Sequence, residues 1–239
     1  MMAGNTTKNL DLSVIVPVYN EEACVEAAVI GILKAFSGLG ISFELIVVDD
    51  GSTDETYRIC RKLQAKREFK ICRFNRNRGY SNALLKGFLE SRGTYIAYLD
   101  ADLQYTPSEI IKLFRAAVRD DKDFVIGTAR NKGYGLFRKV VSRTYNLLVR
   151  VLFSIDCYDV HCKRVFRRDL IKPRQISGLY GLFDLELLLL AIRNNAKIKQ
   201  IHIQIMPRMA GRSKLTARLM LITLVNLFRL RLRYMKLMK

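Results

Sequence analysis

Leu12-Ser13-Val14-Ile15-Val16-Pro17-Val18, followed at once by Tyr19-Asn20-Glu21-Glu22, is the stretch that decides the fold. A short run rich in β-branched residues ends in a polar cluster and gives way to a helical pattern reaching about Phe36, which predicts a buried strand feeding a helix. The same unit recurs. Phe43 to Val48 is a second apolar run, closed by Asp49-Asp50-Gly51-Ser52 and followed by a helix that Ser52 or Thr53 would cap, with Asp54 and Glu55 set favourably against its dipole. Further strands are expected at Phe69 to Phe74 and Thr94 to Leu99, with a helix from about Tyr80 to Ser91 between them. This alternation predicts a doubly wound, mostly parallel α/β sheet. Outward from it, the pattern predicts a helix over Ser108 to Arg119, a strand at Phe124 to Gly127, a basic helix over Leu136 to Phe153, a helix over Asp184 to Asn194 and a strand at Ile198 to Ile205.

With 239 residues the chain can bury one sizeable core, and half of its residues are hydrophobic, which excludes the composition of a disordered protein. The domain reading is a catalytic unit over residues 1–214 and a C-terminal apolar-basic amphipathic helix over residues 215–239. The formal net charge of +19 favours anionic partners without choosing among nucleic acid, lipid and phosphorylated substrates. The excess is concentrated late, with nine Lys and Arg and no acid from Arg208 to Lys239. In that segment a helix would bring Arg229, Arg233 and Lys236 to one face, with Leu219, Ile222, Leu227, Leu230 and Leu237 as nearby apolar contacts, a pattern suited to a membrane surface or a small membrane-spanning partner subunit. The apolar run Leu219 to Phe228 is interrupted by Thr223 and Asn226 and falls short of the ~20 residues that cross a bilayer. Five cysteines without paired short spacings read as reduced thiols, and the polar start fits no signal peptide, so the expected location is peripheral, on the cytoplasmic face of a membrane.

In open α/β sheets, ligands bind beyond the carboxyl ends of the strands. Three polar clusters are expected there: Tyr19-Asn20-Glu21, Asp49-Asp50-Gly51-Ser52 and Asp100-Ala101-Asp102-Leu103-Gln104. Asp100 and Asp102, two apart at a strand end, can turn toward one hard cation, with Gln104 adding a neutral oxygen; Mg²⁺ or Mn²⁺ suits such a partial site. Asp50 suits a ribose hydroxyl or a base amine, while Asp49 is as well read as a helix cap. No glycine-rich phosphate loop follows the first strand, which argues against a dinucleotide fold or a P-loop enzyme.

Val14 to Glu22, Val47 to Asp54 and Asp100 to Gln104, in this order and spacing, are similar to the motifs of family 2 glycosyltransferases of the nucleotide-diphospho-sugar-binding (GT-A) fold. Within them, Gln104 and Arg208-Met209-Ala210-Gly211-Arg212-Ser213-Lys214 resemble the dolichol-phosphate (polyprenyl-phosphate) mannose synthases. The resemblance implies donor contacts at Pro17, Tyr19, Glu21, Val48, Asp50, Asp100, Ala101, Asp102, Arg130, Arg208 and Lys214, and metal contacts at Asp100, Asp102 and Gln104. It places Asp102, Arg130, Arg208 and Lys214 in the catalytic role and Arg138 with Ser142 at the acceptor phosphate. The implied reaction is inverting transfer of a sugar, mannose from GDP-mannose first and UDP-glucose or UDP-N-acetylglucosamine second, to dolichyl or polyprenyl phosphate. The sequence departs from that family at Asp159 to Phe166, where a glycine expected after Cys162 is missing, so no catalytic role is carried onto that segment. If a general base exists, Asp184 and Glu186 are the carboxylates to test, although capping of their helix is the simpler role. The charge alone would also suit a nucleic-acid-binding protein, but no nucleic-acid motif accompanies it, and nucleic acid is not the expected partner.

Overall fold

The computed structural model describes residues 10–102, 104–129, 136–155, 160–206 and 217–237. Seven strands form one sheet: β1 (Leu12–Val18), β2 (Phe43–Asp49), β3 (Lys70–Arg73), β4 (Tyr95–Tyr98), β5 (Phe124–Thr128), β6 (Arg164–Arg167) and β7 (Ile198–His202). Their order is β3-β2-β1-β4-β6-β5-β7. All neighbours run parallel except β6, which pairs antiparallel with both β4 and β5. The doubly wound, mostly parallel expectation is met. The antiparallel β6 was not anticipated, because Arg164-Val165-Phe166-Arg167 is four residues long and charged at both ends, below what alternation can signal.

Side chains of β1 divide the core by the period-two rule. Leu12, Val14, Val16 and Val18 pack with α1 (Val25–Ser37), α2 (Thr56–Gln64) and α4 (Pro107–Arg119), while Ile15 faces the other layer. That second layer is made by α3 (Tyr80–Glu90), α5 (Leu136–Phe153), α6 (Phe183–Arg193) and α7 (Ala217–Leu237). Cys24, Cys60, Cys72 and Cys162 are buried, and burial pushes the Cys60 thiol up to about 12, which makes it inert. Cys157 lies outside the described residues.

Two corrections concern helices. Ser52 and Thr53 do not cap α2, which starts at Thr56; Ser52 Oγ instead accepts the Asn20 N–H at 3.0 Å, and the Thr53 N–H donates to Asn20 Oδ1 at 2.9 Å. With Glu21 N–H donating to Thr56 Oγ1 at 2.8 Å, the ends of β1 and β2 are laced together. Asn20 takes φ 53°, a left-handed conformation that asparagine tolerates better than most residues. In α7, Leu227 and Leu230 are buried in the core rather than facing outward. The exposed apolar residues are Leu221, Ile222, Leu224, Val225, Phe228, Leu232 and Met235, most of them at the three- and four-residue spacing of one helix face. No described helix is long and apolar enough to cross a membrane.

Gly51, between β2 and α2, has φ +74°, and a Cβ there would stand 2.5 Å from the Arg76 carbonyl carbon. Gly51→Ala is therefore expected to cost about 2–4 kcal/mol, from left-handed strain plus a backbone clash that no rotamer relieves. Urea unfolding measures it; a variant as stable as the parent would show that this turn can open freely.

Candidate active site

The strand ends converge as the topology requires. A cavity of about 430 Å³ beyond the carboxyl ends of β1, β2 and β4 is lined by Pro17, Tyr19, Glu21, Asp50, Asp100, Ala101 and Asp102, all seven of them anticipated. Its remaining wall comes from Val18, Asn77, Gly79, Tyr80, Ala83, Tyr180 and Leu219, to which the sequence assigned no part in the site. Val48, expected to contact the donor, is fully buried in the core among residues packed under α3. Arg130, Arg208 and Lys214 lie outside the described residues, as does the side chain of Arg138; Ser142 is half-buried on α5.

The two carboxylates that end β2 are held differently. Asp49 is fully buried, with Oδ1 accepting the Ser52 N–H at 3.0 Å and Oδ2 3.0 Å from Arg73 Nε. That makes it the turn-closing group of the two. Asp50 accepts the N–H groups of Arg78 and Gly79 at 2.7 and 2.8 Å, so it fixes the loop that carries Asn77 and Gly79 into the cavity wall. Burial raises its pKa, only partly countered by those two hydrogen bonds.

Asp100, at the end of β4, accepts the Tyr80 hydroxyl on Oδ1 at 2.8 Å, and its Oδ2 lies 2.7 Å from Lys163 Nζ. Loss of hydration, then the Asp100 and Asp184 carboxylates, push the Tyr80 phenol well above its ordinary pKa, so Tyr80 remains a donor at neutral pH. Asp102 Oδ1 accepts the Gln104 N–H at 3.1 Å, and the Gln104 carbonyl accepts the Met206 N–H at 2.8 Å, which ties this turn to the segment after β7. The donor set is oxygen throughout, the chemistry of Mg²⁺ or Mn²⁺. Among the described residues no three His, Cys, Asp or Glu side chains cluster as a metal cage, so an ion here would rest on Asp100 and Asp102 with substrate phosphates completing its shell.

Behind this wall is a buried charged cluster. Arg164, fully buried in β6, donates to the Asp184 carbonyl and, through Nη2, to the carbonyls of Val160 and Cys162, the latter at 3.1 Å. Nη2 also lies 3.4 Å from Asp184 Oδ1, while His161 Nδ1 lies 3.5 Å from Oδ2 and the Tyr98 hydroxyl donates to Oδ1. Burial alone would raise the Asp184 carboxyl, but Arg164, His161 and Tyr98 together hold it well below the ordinary range. Asp184 thus binds β4 and β6 to α6 rather than capping its helix. Glu186 is an anchor too: it accepts the Ser177 N–H and hydroxyl, and burial raises its pKa. Its loop, with Gly178 and Gly181 at positive φ, carries Tyr180 to the cavity, and Asn226 of α7 donates to the Tyr180 carbonyl at 3.3 Å.

Asp184→Asn is expected to lower the unfolding free energy by about 3–5 kcal/mol at neutral pH, because Arg164 is left buried without its counter-charge. A depressed carboxyl stabilises above its unfolded pKa of about 4 and loses that contribution as pH falls toward the folded value. Urea titrations of both proteins from neutral pH down to about pH 3 should show the parent's advantage shrinking only below that point; a pH-independent gap would contradict the charged pair.

Residues 13–174 match the family model described as glycosyl transferase family 2. The chain is 33% identical over 175 residues to dodecaprenyl-phosphate galacturonate synthase of Rhizobium johnstonii, covering 72% of this chain and 52% of that protein. It is 32% identical over 221 residues to undecaprenyl-phosphate 4-deoxy-4-formamido-L-arabinose transferase of Pectobacterium carotovorum, covering 91% and 65%. It is 34% identical over 147 residues to dolichol-phosphate mannosyltransferase of Pyrococcus furiosus, covering 59% and 41%. The chain therefore spans between 41% and 65% of the length of these relatives. Among solved structures, glucosyl-3-phosphoglycerate synthase of Mycobacterium tuberculosis, crystallised with Mn²⁺, UDP-glucose and phosphoglyceric acid, superposes with a TM-score of 0.70 at 19% identity, covering 93% of this chain and 79% of that one. At that identity the likeness concerns the fold, the GT-A arrangement of a mostly parallel sheet flanked by helices. Sheet, strand-end motifs and family match agree, and the chain belongs to glycosyl transferase family 2.

Proposed function

We propose that this protein transfers a sugar, with inversion, from a nucleotide diphosphate donor to a polyprenyl phosphate at a membrane surface. The observation that carries the reading is one cavity shared by the acidic end of β4 and by Leu219 of α7, so that the donor crevice adjoins the helix whose outer face is apolar. The names of the relatives, three polyprenyl-phosphate sugar transferases, support the acceptor class. They carry galacturonate, formamido-arabinose and mannose, so GDP-mannose is one donor among several to be tested.

In this reading Tyr19, Glu21 and the Asp50-pinned loop receive the nucleoside, and Asp100 with Asp102 face the diphosphate. A divalent ion held by those carboxylates, with Gln104 nearby, would neutralise charge developing on the nucleotide leaving group. Arg130, Arg208 and Lys214 are proposed to stabilise that same charge, and Arg138 with Ser142 to position the acceptor phosphate. A phosphate monoester is already anionic at neutral pH, so the site needs cations for positioning more than a strong base, in keeping with the structural roles of Asp184 and Glu186.

Membrane attachment would use the outward stripe of α7, from Leu221 to Met235, together with Val140, Leu147 and Val151 of α5. Exposed Arg143, Arg150, Arg218, Arg229 and Arg233 on the same two helices suit an anionic surface.

Asp102→Asn should lower turnover roughly 100-fold or more with the fold intact, and chelation of divalent ions should do the same to the parent. A donor panel of GDP-mannose, UDP-glucose, UDP-galacturonate and UDP-N-acetylglucosamine against one polyprenyl phosphate, with and without Mn²⁺, measures both; no transfer from any donor would sink the reading. Separately, Leu224→Asp with Phe228→Asp should weaken co-sedimentation with anionic liposomes by roughly tenfold while nucleotide binding is kept, since two apolar side chains no longer enter the interface. Unchanged sedimentation would remove α7 from the membrane contact.

A further inference from the structure

Among the described residues, the acidic strand end has a cation of the chain in direct contact with it. Lys163 stands immediately before β6, in the segment where the glycine expected after Cys162 is missing, and only 5% of its side chain is exposed. Its Nζ lies 2.7 Å from Asp100 Oδ2 and 3.2 Å from the Tyr80 hydroxyl oxygen. The rings of Tyr98 and Tyr105 are 4.9 and 5.3 Å away, and that of Tyr80 is 5.8 Å away. An ammonium so far from water needs a negative partner, and aromatic faces add a second, weaker attraction. Asp100 is that partner, and at 32% side-chain exposure it also faces the cavity.

We propose that Lys163 is a built-in competitor for the divalent ion at Asp100. This inference rests on the reading of the cavity as a metal-assisted donor site. Mg²⁺ and Mn²⁺ draw carboxylate oxygens into short, strongly directional contacts, and Asp100 Oδ2 already carries an ammonium on one side while Oδ1 carries the Tyr80 hydroxyl on the other. An ion arriving alone must displace Lys163 and then repels it. An ion arriving with a nucleotide diphosphate brings compensating negative charge, and the displaced ammonium retains the faces of Tyr98 and Tyr105. Lys163 thereby couples metal entry to donor entry, and suppresses idle metal binding. A purely structural Lys163, neutralising Asp100 for the sake of the fold, would give no such coupling.

The test is binding of Mn²⁺ alone to the full chain, followed by the spin-resonance signal of free Mn²⁺, in the parent and in Lys163→Met. The Met variant should bind Mn²⁺ at least about tenfold more tightly, because one positive competitor has been removed from its ligand. Adding Asp100→Asn to Lys163→Met should cancel the gain. Equal or weaker affinity in Lys163→Met, no Mn²⁺ binding in it at all, or a gain that survives Asp100→Asn would each overturn the proposal. Should Lys163→Met fail to fold, as judged by its thermal transition, Lys163→Gln keeps a polar head among the tyrosines and is read in the same way. The measurement contains neither sugar donor nor lipid, so a chain that transfers no sugar to polyprenyl phosphate would sink the proposed function and leave this result standing.

Discussion

The buried pair of Arg164 and Asp184 is the constraint on which the second half of this structure depends. A fully buried guanidinium is costly unless its charge is paired and its terminal nitrogens are hydrogen-bonded. Here the answers come from four separate places: the carboxylate and carbonyl of α6, the carbonyls of Val160 and Cys162, the Tyr98 hydroxyl of β4 acting on the same carboxylate, and His161 on its far oxygen. Because the cluster is satisfied only when β4, β6 and α6 are all in place, it specifies how the later elements dock on the parallel core. It also aims the preceding residue: with Arg164 turned to α6, Lys163 is left to reach Asp100.

That arrangement joins two halves with different tasks. The first half, β1 to β4 with α1 to α3, is built by short strand-to-helix turns whose polar residues serve each other across the gap between strands, Asn20 with Ser52 and Thr53, Asp50 with Arg78 and Gly79. These contacts leave a crevice lined by carboxylates, tyrosines and apolar side chains in a protein of net charge +19. The second half supplies the exposed apolar and basic helices. The combination places an anion-attracting exterior around an acidic strand end, where, in the proposed reading, a cation, tethered or metallic, would mediate between carboxylates and phosphates.

The inward face of α7 explains why the helix cannot be treated as a detachable tail. Asn226, Leu227 and Leu230 are buried, Tyr234 meets Phe153 edge-on with ring centroids 5.9 Å apart, and Leu219 reaches the cavity. The outer stripe is exposed because the inner one is committed to the core, so in the proposed reading one helix would serve both the lipid surface and the wall of the crevice.

The sequence by itself determined the parallel core and the strand ends, because buried strands of β-branched residues closed by polar turns are local signals carried within about ten residues of chain, and those turns together with the family resemblance pointed to seven of the residues that line the cavity. It determined the family for the same reason, since the three motifs that carry the resemblance are those turns. Only the tertiary structure decided what depends on contacts between distant segments: that β6 enters antiparallel, that Val48 lies in the core while Asn77 and Tyr180 line the cavity, that Asp184 and Glu186 are anchors, and which stripe of α7 faces out. Lys163 is the clearest case. Its only visible mark in the sequence is a missing glycine, and its partner stands 63 positions earlier in the chain, so no local rule of spacing or periodicity could have paired them.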